Sequence, residues 1–157
     1  MSPKTRRREI PTSEGWYHLE TAIERAPIID ATLDVGFNID SLETILREVA
    51  INTTLNDENI SVLPPQVQPF LREKNVRGDL AVRISGFIDI DDPLEGPLQI
   101  DSSLTRASIG EDKARLDIPS LGAHGTMESS VLTFKTINGT MLGGTFEGDF
   151  EMLLKAF

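Results

Sequence analysis

The chain has 157 residues, of which 39% are hydrophobic and 25% are charged, so it has the composition of one folded domain and not of a disordered chain. A formal net charge of −10 at pH 7 argues against nucleic acid as a partner, because nucleic-acid binding needs a basic patch. Without cysteine the chain has no disulfide, no thiolate nucleophile and no cysteine-based zinc site.

Residues 1–15 are predicted to form a disordered basic tail, and residues 16–157 a single β-rich domain or segment. The tail has the positive charge of a secretory signal, but no apolar stretch follows it. Nowhere does the sequence approach the ~20 consecutive apolar residues that cross a bilayer. A second interpretation of the tail is contact with an anionic surface through its basic residues, which are Lys4, Arg6, Arg7 and Arg8.

The first two predicted strands differ in the strength of their pattern. Residues 16–23 alternate weakly between polar and apolar side chains, whereas residues 29–39 alternate without a break. Because successive side chains of a strand point to opposite faces, the second segment has one apolar face. That face carries Ile29, Ala31, Leu33, Val35, Phe37 and Ile39.

After residue 40 the apolar spacing changes to that of a helix. Asp40 followed by Glu43 resembles a helix capping box, so a short helix is predicted over residues 40–49. A brief strand over residues 51–55 follows it. The apolar side of this helix would consist of Leu42, Ile45, Leu46 and Val49.

A second short helix is predicted to begin at Leu63-Pro64-Pro65 and to run to about Lys74, because proline is tolerated in a first helical turn. Gly78 ends this unit, and a long strand follows in which Gly86 predicts a bend or a bulge. The apolar side of the helix has Val67, Phe70 and Leu71, and that of the strand has Leu80, Val82, Ile84, Ile88 and Ile90.

The remaining residues predict further strands. Residues 98–104 form one, a weaker hairpin turns at residues 110–112, and residues 119–125 connect to two long strands over residues 125–154. Those two strands are predicted to meet at Gly143-Gly144, since glycine accepts positive φ. Their apolar face carries Leu132, Phe134, Phe146, Phe150 and Met152, and the second strand has Glu147, Asp149 and Glu151 on its other face.

These patterns together predict a mainly β fold with no βαβ rhythm. The expected architecture is an antiparallel meander of eight or nine long amphipathic strands that form a curved, groove-like sheet with two short helices. The helices are too small to cover such a sheet, so we expect them to plug one end of the groove. A closed β-sandwich, which buries the same apolar face in its core, is the alternative.

The order of these features resembles the AsmA-like family and its TamB relatives over residues 29–154. The resemblance rests on the long strands, the helix introduced by Leu63-Pro64-Pro65, the strand start at Arg77-Gly78, and Gly143-Gly144 followed by Phe146-Glu147-Gly148. The family comprises bridge-like lipid-transfer proteins, in which a membrane helix precedes a curved sheet. This sequence lacks that helix and is short, so it would correspond to one segment of a bridge.

The resemblance implies a periplasmic protein of the bacterial cell envelope that acts in outer-membrane biogenesis. It would associate with the inner membrane through a segment absent from this sequence, and further segments or chains would extend the bridge. Phospholipid is the implied ligand, with its acyl chains in the groove. The residues expected to contact these chains are Leu33, Val35, Phe37, Leu80, Val82, Ile84, Leu132, Phe134, Phe146 and Phe150.

Signals for catalysis and for cofactors are poor, so the protein is predicted not to be an enzyme. His18 and His124 are far apart in sequence and lack the spacing of metal ligands. The acidic run at residues 89–92 is predicted to be a solvated turn and not a calcium loop, because Pro93 interrupts it. Two functional classes remain, a lipid-binding module and a structural or adhesive β-domain without a ligand.

Overall fold

Eight antiparallel strands form one open sheet in which each strand pairs with its neighbours in sequence. The computed structural model describes residues 10–12, 14–25, 29–61, 63, 65, 67–92, 95–111 and 114–153. Lys4, Arg6, Arg7, Arg8, Pro64, Pro93 and Leu154 lie outside the described residues. The strands are β1 (Trp16–Arg25), β2 (Ile29–Asn38), β3 (Glu43–Leu55), β4 (Arg77–Asp89), β5 (Leu98–Ile109), β6 (Leu116–Glu128), β7 (Val131–Met141) and β8 (Gly144–Leu153).

The predicted antiparallel meander is therefore confirmed. The alternative, a closed sandwich, is wrong for the described part of the chain, because its strands belong to one sheet whose order runs from β1 to β8 without closing. The two outer strands, β1 and β8, each have a hydrogen-bonded neighbour on one side only among these residues. The sheet is thus a single layer over most of its width.

Both helices are short and lie at one end of the sheet. The first, α1 (Asp57–Ile60), is capped by the Asn56 side chain, which accepts a hydrogen bond of 2.8 Å from the Asn59 backbone N–H. The second, α2 (Gln68–Glu73), begins later than the predicted start at Leu63-Pro64-Pro65, since Leu63 and Pro65 are not helical and the proline in its first turn is Pro69. The helices and adjoining strand ends share a small core of Leu55, Ile60 and Val76, against which Leu63, Leu71, Leu80, Leu104 and Ile109 pack.

The expected position at one end is therefore confirmed for α2, whereas α1 lies there without having been predicted. The helices contribute Ile60 and Leu71 to this core, and the strands contribute residues near the end of β3, the start of β4 and the end of β5. A backbone hydrogen bond of 2.9 Å from the Gly110 N–H to the Lys74 carbonyl ties the end of α2 to the end of β5. The rest of the sheet lies beyond the reach of this core.

The helix predicted over residues 40–49 is wrong, since residues from Glu43 onward belong to β3. The strand contains a bulge near Arg47, where its register shifts against both β2 and β4. One extra residue in a strand places side chains three apart on the same face. Leu46 and Val49 share a face for this reason, and their spacing imitates that of a helix. Ile45 lies on the opposite face, paired with Gly36.

The strands β5 and β6 are longer than the sequence pattern predicts. Residues 119–125, predicted to be a connection, belong to β6. The pattern is weak here because Ser102, Ala123 and Gly125 occupy positions that hold large apolar residues in other strands. Pro119 lies just before the pairing of β6 with β7 begins at Ser120, so the sheet accommodates its missing N–H.

The last hairpin turns in a left-handed backbone conformation, with φ of 52° at Leu142 and 78° at Gly143. Gly144 does not lie in the turn but begins β8, where it pairs with Met141. Residues 125–154 were expected to form two strands, whereas the described residues include the end of β6 as well as β7 and β8. An additional turn at Ser129-Ser130, also with positive φ, separates β6 from β7.

Candidate functional site

The sheet has one continuous apolar face. Residues that pair directly across antiparallel strands have their side chains on the same side of the sheet. One unbroken row of such partners crosses the sheet from β2 to β8. It consists of Leu33, Val49, Ile84, Ile100, Gly125, Phe134 and Phe150. We call the side that carries this row the apolar face and the other side the polar face.

The structure places all the predicted lipid-contacting residues on the apolar face. Leu33, Ile84, Phe134 and Phe150 belong to the row just described. Val35 and Phe37 follow Leu33 at two-residue steps and pair with Leu46 and Thr44. A second row contains Leu80, Leu104, Leu121, Gly139 and Phe146, while Val82 pairs with Ile51 and Leu132 with Met152.

This face is only partly covered by the rest of the described chain. Its central members, such as Val82, Ile84 and Phe134, are half-buried by their neighbours within the sheet and not by a second layer. Towards the edges the side chains become exposed, with Phe150 at 46% and Met152 at 42% of their full accessible surface. Among the described residues the helical end is closed by the core around Ile60, and Leu98 and Met127 near the opposite end of the same face are also buried.

Two phenylalanine rings lie over glycines of the adjacent strand. A Cβ added at Gly125 would lie 2.6 Å from Phe134 Cδ1, and one added at Gly139 would lie 2.7 Å from Phe146 Cζ. Each ring therefore occupies the space that a side chain on the neighbouring strand would need, and flattens the apolar surface there. Sequence reasoning missed this arrangement, because it depends on register and glycines inside strands are usually interpreted as bulges or bends.

The polar face has a different composition. Exposed carboxylates follow one another along β8 at Glu147, Asp149 and Glu151. A concavity of about 510 Å³ between β1 and β5 is lined mostly by polar side chains of this face, among them Asn52, Ser103 and Thr105. An acyl chain would find no continuous apolar track on this side.

Each histidine on the polar face pairs with an aspartate of the adjacent strand. His18 Nε2 lies 2.8 Å from Asp34 Oδ1, and Arg47 Nε lies 3.5 Å from Asp34 Oδ2. His124 Nδ1 lies 2.5 Å from Asp101 Oδ1. The two pairs are in the β1–β2 and β5–β6 parts of the sheet, so the histidines do not form one site. Among the described residues no group of three potential metal-ligating side chains comes together.

Among the described residues two carboxylates, Asp79 and Glu73, have a pKa below the ordinary value, and Asp79 is the one that lies on the sheet. Arg106 Nε donates a hydrogen bond of 2.6 Å to Asp79 Oδ2, and the Thr54 hydroxyl donates one of 2.9 Å to Oδ1. The hydrogen bond from Arg106 and then that from Thr54 lower the pKa of Asp79 below its ordinary value of 3.8. These bonds join β3, β4 and β5 on the polar face near the helical end.

Within the predicted basic tail, Ile10 lies against Gly36 on the polar face, where an added Cβ would be 2.6 Å from Ile10 Cγ1. The Gly15 carbonyl accepts a hydrogen bond of 3.2 Å from the Ile39 N–H. These contacts keep the described residues that precede β1 on the polar side. They leave the apolar face uncovered.

Comparisons with known proteins return no match: no protein-family model, no curated protein and no solved structure resembles the chain significantly. The resemblance to the AsmA-like family therefore stays a prediction. None of the helices in the described ranges is both long enough and apolar enough to cross a bilayer.

Proposed function

We propose that this chain is a non-enzymatic module that binds phospholipid through its acyl chains and passes it along the apolar face. The single observation that supports the proposal is the continuity of that face. Large apolar side chains extend from Leu33 to Phe150 in one row of cross-strand partners, and no second layer covers the described sheet outside its helical end. Contiguous apolar surface of this extent is uncommon on soluble monomers and marks a binding surface.

The energetics of such a surface suit transfer. Removing one methylene from water contributes about 0.8 kcal/mol when it is fully buried, and a chain lying on an open face gains part of that. The attraction is non-directional, because the apolar face offers no hydrogen bond that must break when the lipid moves. A bound chain would therefore be held by many small contributions and would still slide along the sheet.

The polar face and the sheet edges would remain in water. Carboxylates such as Asp149 and Glu151 lie on the side opposite to the proposed acyl track. A phospholipid could then lie with its chains on the apolar face while its headgroup projects past the sheet. We place this activity in the bacterial cell envelope, with phospholipid as the ligand and with further segments or chains of a lipid bridge as partners.

The experiment that tests the proposal is extraction of lipid from the protein purified from cells, without detergent, followed by mass spectrometry. We expect phospholipid in a defined ratio to protein, and transfer of a fluorescent phospholipid between vesicle populations when the delipidated protein is added. A purified protein that carries no phospholipid and transfers none contradicts the proposal. The structural or adhesive β-domain would then be the better account.

A matched protein control excludes nonspecific carry-over. Unfolded or aggregated chains also trap lipid, so only the fraction that elutes as a folded species and melts cooperatively should be extracted. The lipid content of this fraction should fall when the apolar face is charged and should not fall when the polar face is charged. The variants that make this comparison are given in the Discussion.

A further inference from the structure

The edge strand β1 presents an unusual surface for an outermost strand. Among the described residues it has a hydrogen-bonded neighbour, β2, on one side only, and its backbone is free on the other side over ten residues. Three large apolar side chains project along this edge on the apolar face. Tyr17 is 51% exposed, Leu19 is 48% exposed and Ile23 is 52% exposed. Long apolar edges of this kind pair readily with another strand.

We propose that β1 pairs with β1 of a second copy of this chain, antiparallel, about a two-fold axis that passes through Thr21. An axis perpendicular to the sheet leaves both apolar faces on the same side. Leu19 of each copy then lies opposite Ile23 of the other, which is a favourable apolar pair. The two sheets become one sheet with a continuous apolar face.

The charges on the polar face specify this register. With Thr21 on the axis, His18 lies opposite Glu24, and Glu20 lies opposite Ala22. No carboxylate then faces another carboxylate across the strands. The neighbouring registers, with Glu20 or Ala22 on the axis, place Glu20 opposite Glu20 or Glu24, and like charges directly opposite each other are destabilising.

The other edge strand disfavours self-pairing. In β8 the carboxylates Glu147, Asp149 and Glu151 alternate along the polar face. An antiparallel pair of β8 strands centred on Asp149 places Asp149 opposite its own copy and Glu147 opposite Glu151. Centred on Gly148, the pair places Glu147 opposite Asp149. Charged edges are a common device against edge-to-edge association.

Pairing of β1 with β8 of another copy meets the same repulsion. When β1 and β8 pair antiparallel over their full lengths, Leu19 lies opposite Phe150. In that register Glu20 lies opposite Asp149. A shift by two residues in one direction places Glu147 opposite Glu20. A shift in the other direction places Glu151 opposite Glu20. The β1–β1 pair is thus the extended edge contact that keeps carboxylates apart, which makes a second copy the partner.

A single engineered thiol tests the geometry, because the chain has no cysteine. Across the axis the two Thr21 Cα atoms would be about 4.5–5.5 Å apart, within the range of about 4.4–6.8 Å that a disulfide spans. We expect Thr21→Cys to form a covalent dimer under mild oxidation. Thr145→Cys is the matched control, since Thr145 is an exposed threonine on the other edge strand, and it should not form a covalent dimer.

A second measurement follows the association of the cysteine-free protein by sedimentation equilibrium. Protein concentrations from about 1 μM to about 1 mM cover dimer dissociation constants in the micromolar to millimolar range. Ala22→Glu places a carboxylate opposite Glu20 at two symmetric points, and Ala22→Lys places an ammonium there. We expect the first to weaken and the second to strengthen the dimer, each by between about twofold and thirtyfold.

The outcomes decide the proposal independently of lipid binding. A parent protein that stays monomeric over the whole range overturns it, as does a Thr145→Cys variant that cross-links as readily as Thr21→Cys. Equal association of Ala22→Glu and Ala22→Lys overturns the register. A protein that stays monomeric but carries phospholipid would contradict the β1–β1 dimer and support the proposed function. A protein that dimerises but carries no phospholipid would contradict the proposed function and support the β1–β1 dimer.

Discussion

Leu33 and Phe150 lie on the same face of the sheet, joined by an unbroken row of cross-strand partners from β2 to β8. With strands about 4.8 Å apart, six strand spacings separate them by about 29 Å. A face that keeps its apolar character over this distance offers an acyl chain a track and not merely a pocket. The first prediction follows from that track.

Val82→Asp and Phe134→Glu are expected to leave a cooperatively folded domain and to abolish co-purifying phospholipid. Both residues are half-buried on the apolar face and have no second layer above them, so the new carboxylate reaches water. We expect a stability loss of under about 2 kcal/mol, within the common range for single substitutions. The carboxylate in the track would repel the acyl chain, because its desolvation is costly. Thermal melts and lipid extraction measure the two effects separately.

The matched controls for this prediction lie one or two residues away on the polar face. Ala81→Asp sits beside Val82, and Thr136→Glu sits two residues from Phe134, opposite His124. Both should retain phospholipid. If these controls lose lipid as fully as the apolar-face variants, or if both apolar-face variants simply unfold, the sheet does not bind lipid through this face.

Gly125→Ala is expected to destabilise the protein by about 1–3 kcal/mol, the usual cost of overpacking. The added Cβ would lie 2.6 Å from the Phe134 ring and 2.7 Å from the Thr133 carbonyl oxygen, so both ring and backbone must move. Gly148→Ala, also on the apolar face, meets nothing within 4 Å and should change stability little. Denaturant melts of the two variants make the comparison. Equal stabilities would mean that the ring does not occupy the space above Gly125.

Ile60→Ala tests whether the helical end stabilises the fold without binding lipid. Ile60 is 1% exposed in the small core, so its truncation should cost about 2–5 kcal/mol. Its folded fraction should keep its phospholipid at low temperature, because Ile60 lies outside the acyl track. Leu142→Ala, at a side chain that is 84% exposed, is the neutral control for stability. Loss of lipid from folded Ile60→Ala protein would show that the helical end takes part in binding.

Acid should remove the stability that Asp79 contributes. The hydrogen bonds from Arg106 and Thr54 lower the pKa of Asp79 in the folded protein below the ordinary 3.8. The contribution is therefore complete above about pH 4 and is lost as the pH falls through the lowered folded value. The difference in stability between the parent and Asp79→Asn should shrink from about pH 6 to about pH 2 in denaturant melts. A difference that stays constant over this range would mean that the carboxylate makes no charged contact.

The strands with uninterrupted alternation were predictable from sequence, and β2, β4 and β8 are the clearest examples. The strand β3 was not, because the bulge near Arg47 puts Leu46 and Val49 on one face at a helical spacing. Small residues on the apolar side of β5 and β6 hid their full length. Local alternation was sufficient where each residue had an ordinary strand conformation, and it failed where one extra residue or a missing side chain broke the period.

The candidate site was predictable as a set of residues and not as a surface. Alternation assigns Leu80, Val82 and Ile84 to one side of β4, but it gives no relation between that side and the side of β8 that carries Phe150. Only the pairing of all intervening strands supplies that relation. The same holds for Phe134 over Gly125, since the two residues meet through the register of β6 and β7.

The single layer has a calorimetric consequence. Unfolding raises the heat capacity because apolar surface becomes hydrated, typically by about 12–15 cal/mol/K per residue. In this sheet much of the apolar face is hydrated already in the folded state, as the exposure of Leu19, Ile23 and Phe150 indicates. The delipidated protein should therefore unfold with a heat-capacity increment below that range and with a broad transition. The same protein loaded with phospholipid should recover a larger increment, because its unfolding and the release of the lipid would hydrate the face together.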